Sequence, residues 1–179
     1  MSGGGPTADV SARLAWPDDA PAIVRVQLAR WRETYGSIPA IEALDPDELA
    51  ERWTSIVTSP KDARVRLLVA LERADVRGYA LVHPSYDPDS DQVADGEIGD
   101  FVVDPDHQRA GHGSRLLQAA VDTLVADRFT RAVWWIGSTD DVLRQFVTES
   151  GWEPDGAHRE LAGESGETLK QVRLHTSLA

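Results

Sequence analysis

The chain of 179 residues contains no cysteine. Without cysteine the protein can form no disulfide, offers no thiol nucleophile and builds no thiolate metal site. Any chemistry that the protein performs must therefore proceed without a covalent intermediate on a cysteine sulfur.

Long hydrophobic runs are missing as well. No stretch of 18 apolar residues occurs, so the sequence predicts no membrane span. Met1–Asp9 lacks the basic start and apolar centre of a secretory signal. We therefore expect a cytoplasmic protein in which residues 1–9, with their run of glycines, form a flexible N-terminal tail and residues 10–179 form a single domain.

Positive charge is scarce, because 18 Lys and Arg face 30 Asp and Glu and the formal net charge is −12. Nucleic acids and anionic membranes bind proteins through neutralisation of phosphate charge, so this balance argues against both as partners. An acidic surface would attract a cationic partner such as an amine, although acidity of the whole surface also serves solubility.

The most informative stretch that is present runs from Gly96 to Ala126. Ile98–Val103 is a short apolar run with β-branched residues, which predicts a strand, and Asp104-Pro105-Asp106 ends it. The segment Gln108–Ser114 then leads into a helix whose apolar positions share one face. These positions are Leu116, Leu117, Ala120, Val121, Leu124 and Val125.

A strand, a glycine-containing loop and a helix N-terminus together indicate an anion site. The first N–H groups of a helix have no partner within the helix, and the dipole is positive at that end. Glycines allow a phosphate to approach the backbone closely, and Arg109 and Arg115 add charge. The pattern is not a Walker loop, and Leu116 occupies the third glycine position of a dinucleotide fingerprint. A phosphate or pyrophosphate ligand is predicted, and the alternative is a strand–turn–helix with glycines for tight packing.

This loop resembles the acetyl-CoA loop of the GNAT N-acetyltransferase family, whose signature is Gln/Arg-x-x-Gly-x-Gly/Ala. Gln108, Gly111 and Gly113 fill the signature. Val103-Asp104-Pro105 matches the V-x-P step that the family has just upstream. The resemblance therefore covers both sides of the turn.

The rest of the chain fits the element order of the same family, β-α-α-β-β-β-α-β-α-β-β. Strands are predicted over 10–15, 65–71, 76–83, 98–103, 131–136, 152–161 and 168–176, and helical faces over 20–35, 49–57, 116–125 and 142–147. Ser37-Ile38-Pro39 reads as a break, and Ser138 and Asp141 have capping-box spacing. The resemblance implies an α/β (α+β) GNAT acyl-CoA N-acyltransferase fold, a mixed and mostly antiparallel sheet of about seven strands flanked by about four helices.

The resemblance also implies an activity, the transfer of an acetyl group from acetyl-CoA directly to a primary amine of a small molecule or peptide, with no metal. In the family the loop holds the pyrophosphate through its main chain, and the preceding strand pairs with the pantetheine amides. The implied cofactor contacts are Phe101, Val102, Val103, Gln108, Arg109, Ala110, Gly111, His112, Gly113 and Ser114. The His112 side chain either touches a phosphate or is exposed without a role, and we expect the second. Homodimers are common in the family.

Direct attack by an amine requires a general base, because an ammonium ion is not a nucleophile. Glu97 lies where many family members carry this base, and Asp100 is the alternative. The two face opposite ways in an unbroken strand, but one bulge reverses the assignment, so the sequence leaves both open. A solvated carboxylate with no role is the other interpretation of Glu97. A buried acid at Asp100 would be unfavourable unless it served a purpose.

The helix after the Trp134-Trp135 strand departs from the family pattern. Thr139 and Asp140 stand where many members have asparagine. The tyrosine that usually protonates the departing thiolate is Val147 in this chain. The alternative function is therefore a non-catalytic module of the same fold that binds or senses acyl-CoA. Trp31, Tyr35 and Trp134 are candidates for the acceptor pocket, and core packing is the other explanation for these aromatic residues.

Overall fold

The computed structural model describes residues 10–36, 38–163 and 166–178. The predicted tail, residues 1–9, lies outside them. The elements are β1 (Val10–Leu14), α1 (Ala20–Tyr35), α2 (Pro39–Glu42), α3 (Pro46–Thr58), β2 (Arg66–Glu72), β3 (Asp75–Pro84), β4 (Asp95–Val103), α4 (His112–Ala126), β5 (Arg131–Gly137), α5 (Asp141–Glu149), β6 (Glu153–Ala162) and β7 (Thr168–Ser177). Single 3-10 turns lie at Pro17–Asp19 and Pro105–His107.

The seven strands form one sheet in the order β1-β2-β3-β4-β5-β7-β6. β4 and β5 run parallel, whereas the pairs β1/β2, β2/β3, β5/β7 and β6/β7 are antiparallel. The pairing of β4 with β5 runs from Asp95 opposite Arg131 to Ile98 opposite Trp134. The prediction of a mixed, mostly antiparallel seven-stranded sheet is confirmed, with five α-helices among the described residues instead of about four.

The chain divides into two compact units, and β3 and β4 each contribute residues to both. The first unit comprises the described residues up to Val82 together with Asp100–Thr123. In its core the indole of Trp53 meets the ring of Tyr79 edge-on at 5.1 Å between centroids. The indole N–H of Trp53 donates to Gln27 over 3.0 Å, so the one amide on the buried face of α1 is satisfied.

The second unit comprises His83–Gly99 and the described residues from Leu124 onward. Its core contains Trp134 and Trp152, whose rings also meet edge-on, with centroids 5.7 Å apart. Gly96 lies so close to Leu124 and Phe129 that a Cβ there would come within 2.6 Å of the Leu124 side chain. The start of β4 is therefore fixed against this core.

The expected break after α1 is present, since α1 ends at Tyr35 and α2 begins at Pro39 with Ile38 as its N-cap, while Ser37 lies outside the described residues. The short helix α2 itself was not predicted. One capping prediction is wrong. The cap of α5 is Asp140 and not Ser138, since the Asp140 carboxylate accepts from the N–H of Leu143. The Ser138 N–H is already engaged, because it donates to the carbonyl of Lys170 over 2.8 Å.

Candidate active site

The loop between β4 and α4 begins with a turn built on Asp104. This carboxylate is buried and accepts from the N–H of Asp106 over 3.0 Å, and it lies 3.2 Å from His107 Nδ1 and 3.4 Å from Arg25. Burial would raise the pKa of Asp104, but the Asp106 N–H and His107 lower it below its usual value. An ionised Asp104 therefore fixes the direction in which the chain leaves the strand.

The glycine loop itself presents its main chain to solvent. Gln108, Arg109, Ala110, Gly111 and Ser114 are exposed. Arg109 and Gly111 have positive φ angles of 62° and 88°. The first backbone hydrogen bond of α4 joins the Arg115 N–H to the Gly111 carbonyl at 3.1 Å, so the N–H groups before Arg115 have no partner within the helix.

Two cations flank this open backbone. Arg109 and Arg115 are both exposed, and within the described part of the chain neither guanidinium contacts a carboxylate. A Cβ at Gly111 would meet no atom within 4 Å, so the space above the backbone is open. Exposed N–H groups, open space and unengaged guanidinium groups fit the pyrophosphate of acetyl-CoA.

His112 is placed differently from the prediction. Its side chain is not exposed, since the residue is 1% exposed and its two ring nitrogens have no hydrogen-bond partner among the described residues. Burial lowers the pKa of His112, so the imidazole is held neutral. His112 is buried because it lies four residues before Leu116, one helical turn away, and therefore on the buried face of α4.

The strand before the loop is half-buried at Phe101, Val102 and Val103. A Cβ at Gly78 on β3 would come within 2.8 Å of the Val102 carbonyl oxygen. Glycine at position 78 thus permits the close approach of β3 to the end of β4.

The two candidate bases have different surroundings. The Glu97 side chain is 14% exposed, and its Oε2 lies 3.3 Å from His83 Nε2. Burial, followed by the charge of Asp87, raises the pKa of Glu97 to about 7. Asp100 is exposed, so the expected penalty for burying it does not arise, and its charge adds to the effect of burial in raising the pKa of Tyr79.

A charged cluster centred on Arg173 acts electrostatically on Glu97. The Arg173 side chain is 7% exposed and donates to Asp89 over 2.7 Å, to Asp155 over 2.6 Å and to Asp87 over 3.1 Å. Hydrogen bonding to Arg173 lowers the pKa of Asp89 to about 2. These contacts attach the loop between β3 and β4, which carries Asp87 and Asp89, to β6 and β7.

Trp135 joins the same cluster. Its indole N–H donates to Asp87 over 2.9 Å, and the guanidinium of Arg159 lies 4.2 Å from its ring centroid. Sequence reasoning missed His83, Arg173 and Trp135. The alternation along β7, in which charged and apolar residues succeed one another, was a weak signal for Arg173.

The remaining candidates lie in three different settings. Trp31 is partly buried against the first unit's core, Tyr35 is 55% exposed, and Trp134 is buried against Trp152. Val147 is fully buried and carries no transferable proton. The burial of Trp134 favours core packing, whereas Tyr35 is open to a ligand.

The described residues contain neither a candidate metal site nor a candidate membrane span. In ranges 10–36, 38–163 and 166–178 no group of three or more His, Asp or Glu side chains could hold a metal ion. Within the same ranges no helix is both long and apolar enough to cross a membrane.

Comparison with known proteins gives relatives for most of the chain. Mycothiol acetyltransferase of Kineococcus radiotolerans is 36% identical over 91 residues, which are 51% of this chain and 28% of that protein. The chain therefore matches less than a third of the length of this curated relative. The structure of yncA, a putative acetyltransferase from Salmonella typhimurium with its cofactor acetyl-CoA, superposes with a TM-score of 0.73 at 20% identity, over 96% of this chain and 95% of that one.

An N-acetyltransferase from Staphylococcus aureus Mu50 superposes with a TM-score of 0.74 at 16% identity, over 95% of this chain and 99% of that one. At these identities the structural likeness is one of fold. The model of the acetyltransferase (GNAT) family matches residues 25–152, which include the Gln108–Ser114 loop. Since this match extends over more than half of the sequence, the chain belongs to the acetyltransferase (GNAT) family.

Proposed function

We propose that the protein is an N-acetyltransferase that moves an acetyl group from acetyl-CoA to a primary amine of a small molecule or peptide. The observation that carries the proposal is the loop Gln108–Ser114 at the start of α4, in which residues 108–111 are exposed, inside a chain of the GNAT family. Residues 10–179 would act as one catalytic domain. The cytoplasmic location and the homodimer stay predictions from the sequence.

Acetyl-CoA, when bound, supplies the acetyl group as an activated thioester. The main-chain N–H groups of the loop would hold the pyrophosphate, with Arg109 and Arg115 neutralising its charge. The backbone of Phe101–Val103 would bind the pantetheine amides. Binding of the pyrophosphate and of the pantetheine requires a correctly placed main chain and two nearby cations. The chain provides both the main chain and the cations.

Glu97 would act as the general base. An acceptor amine is protonated near neutral pH, and a base is most effective when its pKa lies near the working pH. Burial raises the pKa of Glu97 to about 7, which meets this condition. Asp100 is the second candidate, and it is exposed, whereas Glu97 is mostly buried.

The acceptor is proposed to be cationic before it loses its proton, because the formal net charge of −12 favours the approach of cations. Tyr35, exposed at the end of α1, and Trp31 one turn earlier are the proposed aromatic contacts. Trp134 is a weaker candidate, since it is buried.

Val147 favours the second candidate function, a non-catalytic module that binds acyl-CoA. A fully buried valine supplies no proton where the family usually has a tyrosine. The two functions differ in one measurable property, the release of the CoA thiol when an amine is added. Amine-dependent release supports the enzyme, and tight binding without release supports the module.

A thermal melt with and without acetyl-CoA tests the cofactor and its loop. A ligand at a hundred times its dissociation constant stabilises the folded protein by roughly 2.7 kcal/mol. We expect an upward shift for the wild type and none for Gly111→Glu, which places a carboxylate in the loop.

Gly156→Glu is the matched control, because Gly156 also has a positive φ, 86° against 88°, and also has open space at its Cβ. Both variants carry the same backbone strain and the same added charge. If the control loses the shift as well, the loop assignment is wrong. If the wild type shows no shift, acetyl-CoA is not the ligand.

Turnover of an amine panel then tests the base. Glu97→Gln should lower kcat/KM by roughly 10²- to 10⁴-fold, the range that general bases contribute. Glu153→Gln, a change at an exposed position on β6, should leave it unchanged. Equal activity of Glu97→Gln and the wild type would remove Glu97 from the mechanism and make Asp100→Asn the next variant.

A further inference from the structure

His83, at the end of β3, has one ring nitrogen in a fixed role. Its Nδ1 lies 2.6 Å from the carbonyl oxygen of Pro84. A carbonyl oxygen only accepts hydrogen bonds, so Nδ1 must carry a proton and donate it. In the neutral ring this leaves Nε2 as an acceptor with a lone pair.

Glu97 faces that second nitrogen, with its Oε2 3.3 Å from Nε2. A carboxylate oxygen is also only an acceptor. Two acceptors in this geometry repel each other unless a proton lies between them. The pair is therefore stable with one proton, either as a carboxylic acid that donates to the imidazole or as a carboxylate beside an imidazolium.

The imidazole ring is packed on one face and at its Nε2 edge. The ring of Tyr86 stacks on it, with centroids 5.2 Å apart and planes 7° from parallel. Gly99 lies against it so closely that a Cβ there would be 2.6 Å from Nε2. A side chain at position 99 would displace the ring, so glycine is required for the contact with Glu97.

The remaining charges near Glu97 come from three other elements. Asp87, in the loop between β3 and β4, disfavours the ionised form, whereas Arg159 on β6 and Arg173 on β7 favour it. Asp87 is itself paired with Arg173 at 3.1 Å. His83, at 3.3 Å, is the neighbour that we consider as a proton partner of Glu97.

We propose that His83 is a positioning residue that shares the proton which Glu97 accepts from the acceptor amine. The inference rests on the proposed function. In the transfer an N–H bond of the ammonium breaks, its electron pair stays on nitrogen, and the proton binds Oε2 of Glu97, 3.3 Å from Nε2 of His83. The carboxylate loses one negative charge and the ammonium one positive charge, so the step is balanced.

The shared proton can be tested in the free protein by nuclear magnetic resonance. The ¹⁵N shifts of His83, assigned by their loss in His83→Gln, should show a protonated Nδ1 in the neutral ring. The ¹³Cδ shift of Glu97 should change near pH 7, and the Nε2 shift of His83 should follow it, because the two groups share one proton. A proton on Nε2 instead of Nδ1, or an Nε2 shift that does not follow the ¹³Cδ shift of Glu97, would overturn the proposal.

The pH dependence of kcat/KM gives a second readout that a merely structural role would not move. In His83→Gln the amide N–H can donate to Glu97 without bringing a titrating proton, which stabilises the carboxylate. The pKa of the rising limb should therefore fall by about one unit or more. His158→Gln, at an exposed position on β6, is the matched control and should leave the limb unchanged.

The outcomes separate this inference from the proposed function. The shared proton is supported if the pKa of the rising limb of kcat/KM falls in His83→Gln and not in His158→Gln. The inference is overturned if His83→Gln lowers kcat/KM without shifting the pKa of the rising limb, or if His158→Gln shifts that pKa equally. If no amine is acetylated, the proposed function fails, and the resonance experiment on the free protein still decides whether Glu97 and His83 share a proton.

Discussion

Burial of Glu97 affects both the stability of the protein and the chemistry of the site, because it raises the pKa of the carboxyl group. Burial raises its pKa most, Asp87 raises it further, and Arg159 and Arg173 oppose both effects. The native state thus holds the proton of Glu97 to a higher pH than the unfolded chain does. This contribution to the free energy of unfolding is fully present below the unfolded pKa and is lost as the pH rises through about 7.

Replacing Glu97 with glutamine should remove this pH dependence. The native pKa of about 7 against a model value of 4.5 corresponds to roughly 3 kcal/mol. Glu97→Gln should therefore gain up to about this amount relative to the wild type between about pH 4.5 and pH 8. Urea unfolding at several pH values measures it. Glu153→Gln is the control, and a constant difference between wild type and Glu97→Gln would contradict the raised pKa.

His112 has the opposite linkage, because burial lowers its pKa. Its stability contribution is present above the unfolded pKa and is lost as the pH falls through the native one. Its ring nitrogens have no partner among the described residues, and such groups cost about 1–3 kcal/mol each. The neutral ring is therefore tolerated under the loop and not stabilised there.

We expect His112→Leu to stabilise the protein, by about 1 kcal/mol near neutral pH and by more below pH 6.5. Leucine keeps the apolar contacts and removes the two unpartnered nitrogens. Urea unfolding without ligand measures the gain, with His158→Leu at an exposed position as the control. A loss of stability would mean that the ring has a partner that its geometry does not reveal.

At this scale the sequence predicted some placements and missed others for physical reasons. The exposure of Gln108 and Arg109 follows from loop chemistry, which is local. His112 was assigned to the loop, although its spacing of four from Leu116 puts it on the buried helix face. The pairing of His83 with Glu97 joins residues from neighbouring strands, and such contacts depend on register, which a single sequence does not fix.

Whole elements were predicted better where the signal was long. The apolar faces predicted over 49–57 and 116–125 fall within the observed helices α3 and α4. The four residues of α2 are too few to show a helical period. At α5 two potential caps stand two residues apart, and the sheet contact of Ser138 decides between them.

The approach of β3 to β4 can be tested at Gly78. A Cβ there would lie 2.8 Å from the Val102 carbonyl oxygen, which is backbone and cannot swing away. Gly78→Ala should lower the free energy of unfolding by about 1–3 kcal/mol, as overpacking does. Gly137→Ala on β5 is the control, since the nearest atom to its Cβ would be 3.8 Å away, and its effect should stay within about 0.5 kcal/mol. Equal effects would show that the strands separate easily.

For the molecule as a whole, element order was predictable because each strand and helix carried its own periodicity. The identity of the acceptor was not predictable from the sequence, because it depends on surface charge and on which side chains the folded chain brings together. The formal net charge of −12 is the one property of the whole chain that bears on the acceptor. Its effect should appear in the rate at which a cation reaches the protein.

Ionic strength therefore tests the cationic acceptor. Raising salt from about 0.01 M to about 0.15 M shortens the Debye length from about 30 Å to about 8 Å, so attraction by distant carboxylates is screened. With saturating acetyl-CoA, kcat/KM for an acceptor with two positive charges should fall by roughly threefold or more. An acceptor of similar size with one charge should fall less, and it serves as the control for general salt effects. Equal falls for both acceptors would show that the acidic surface serves solubility and does not guide the substrate.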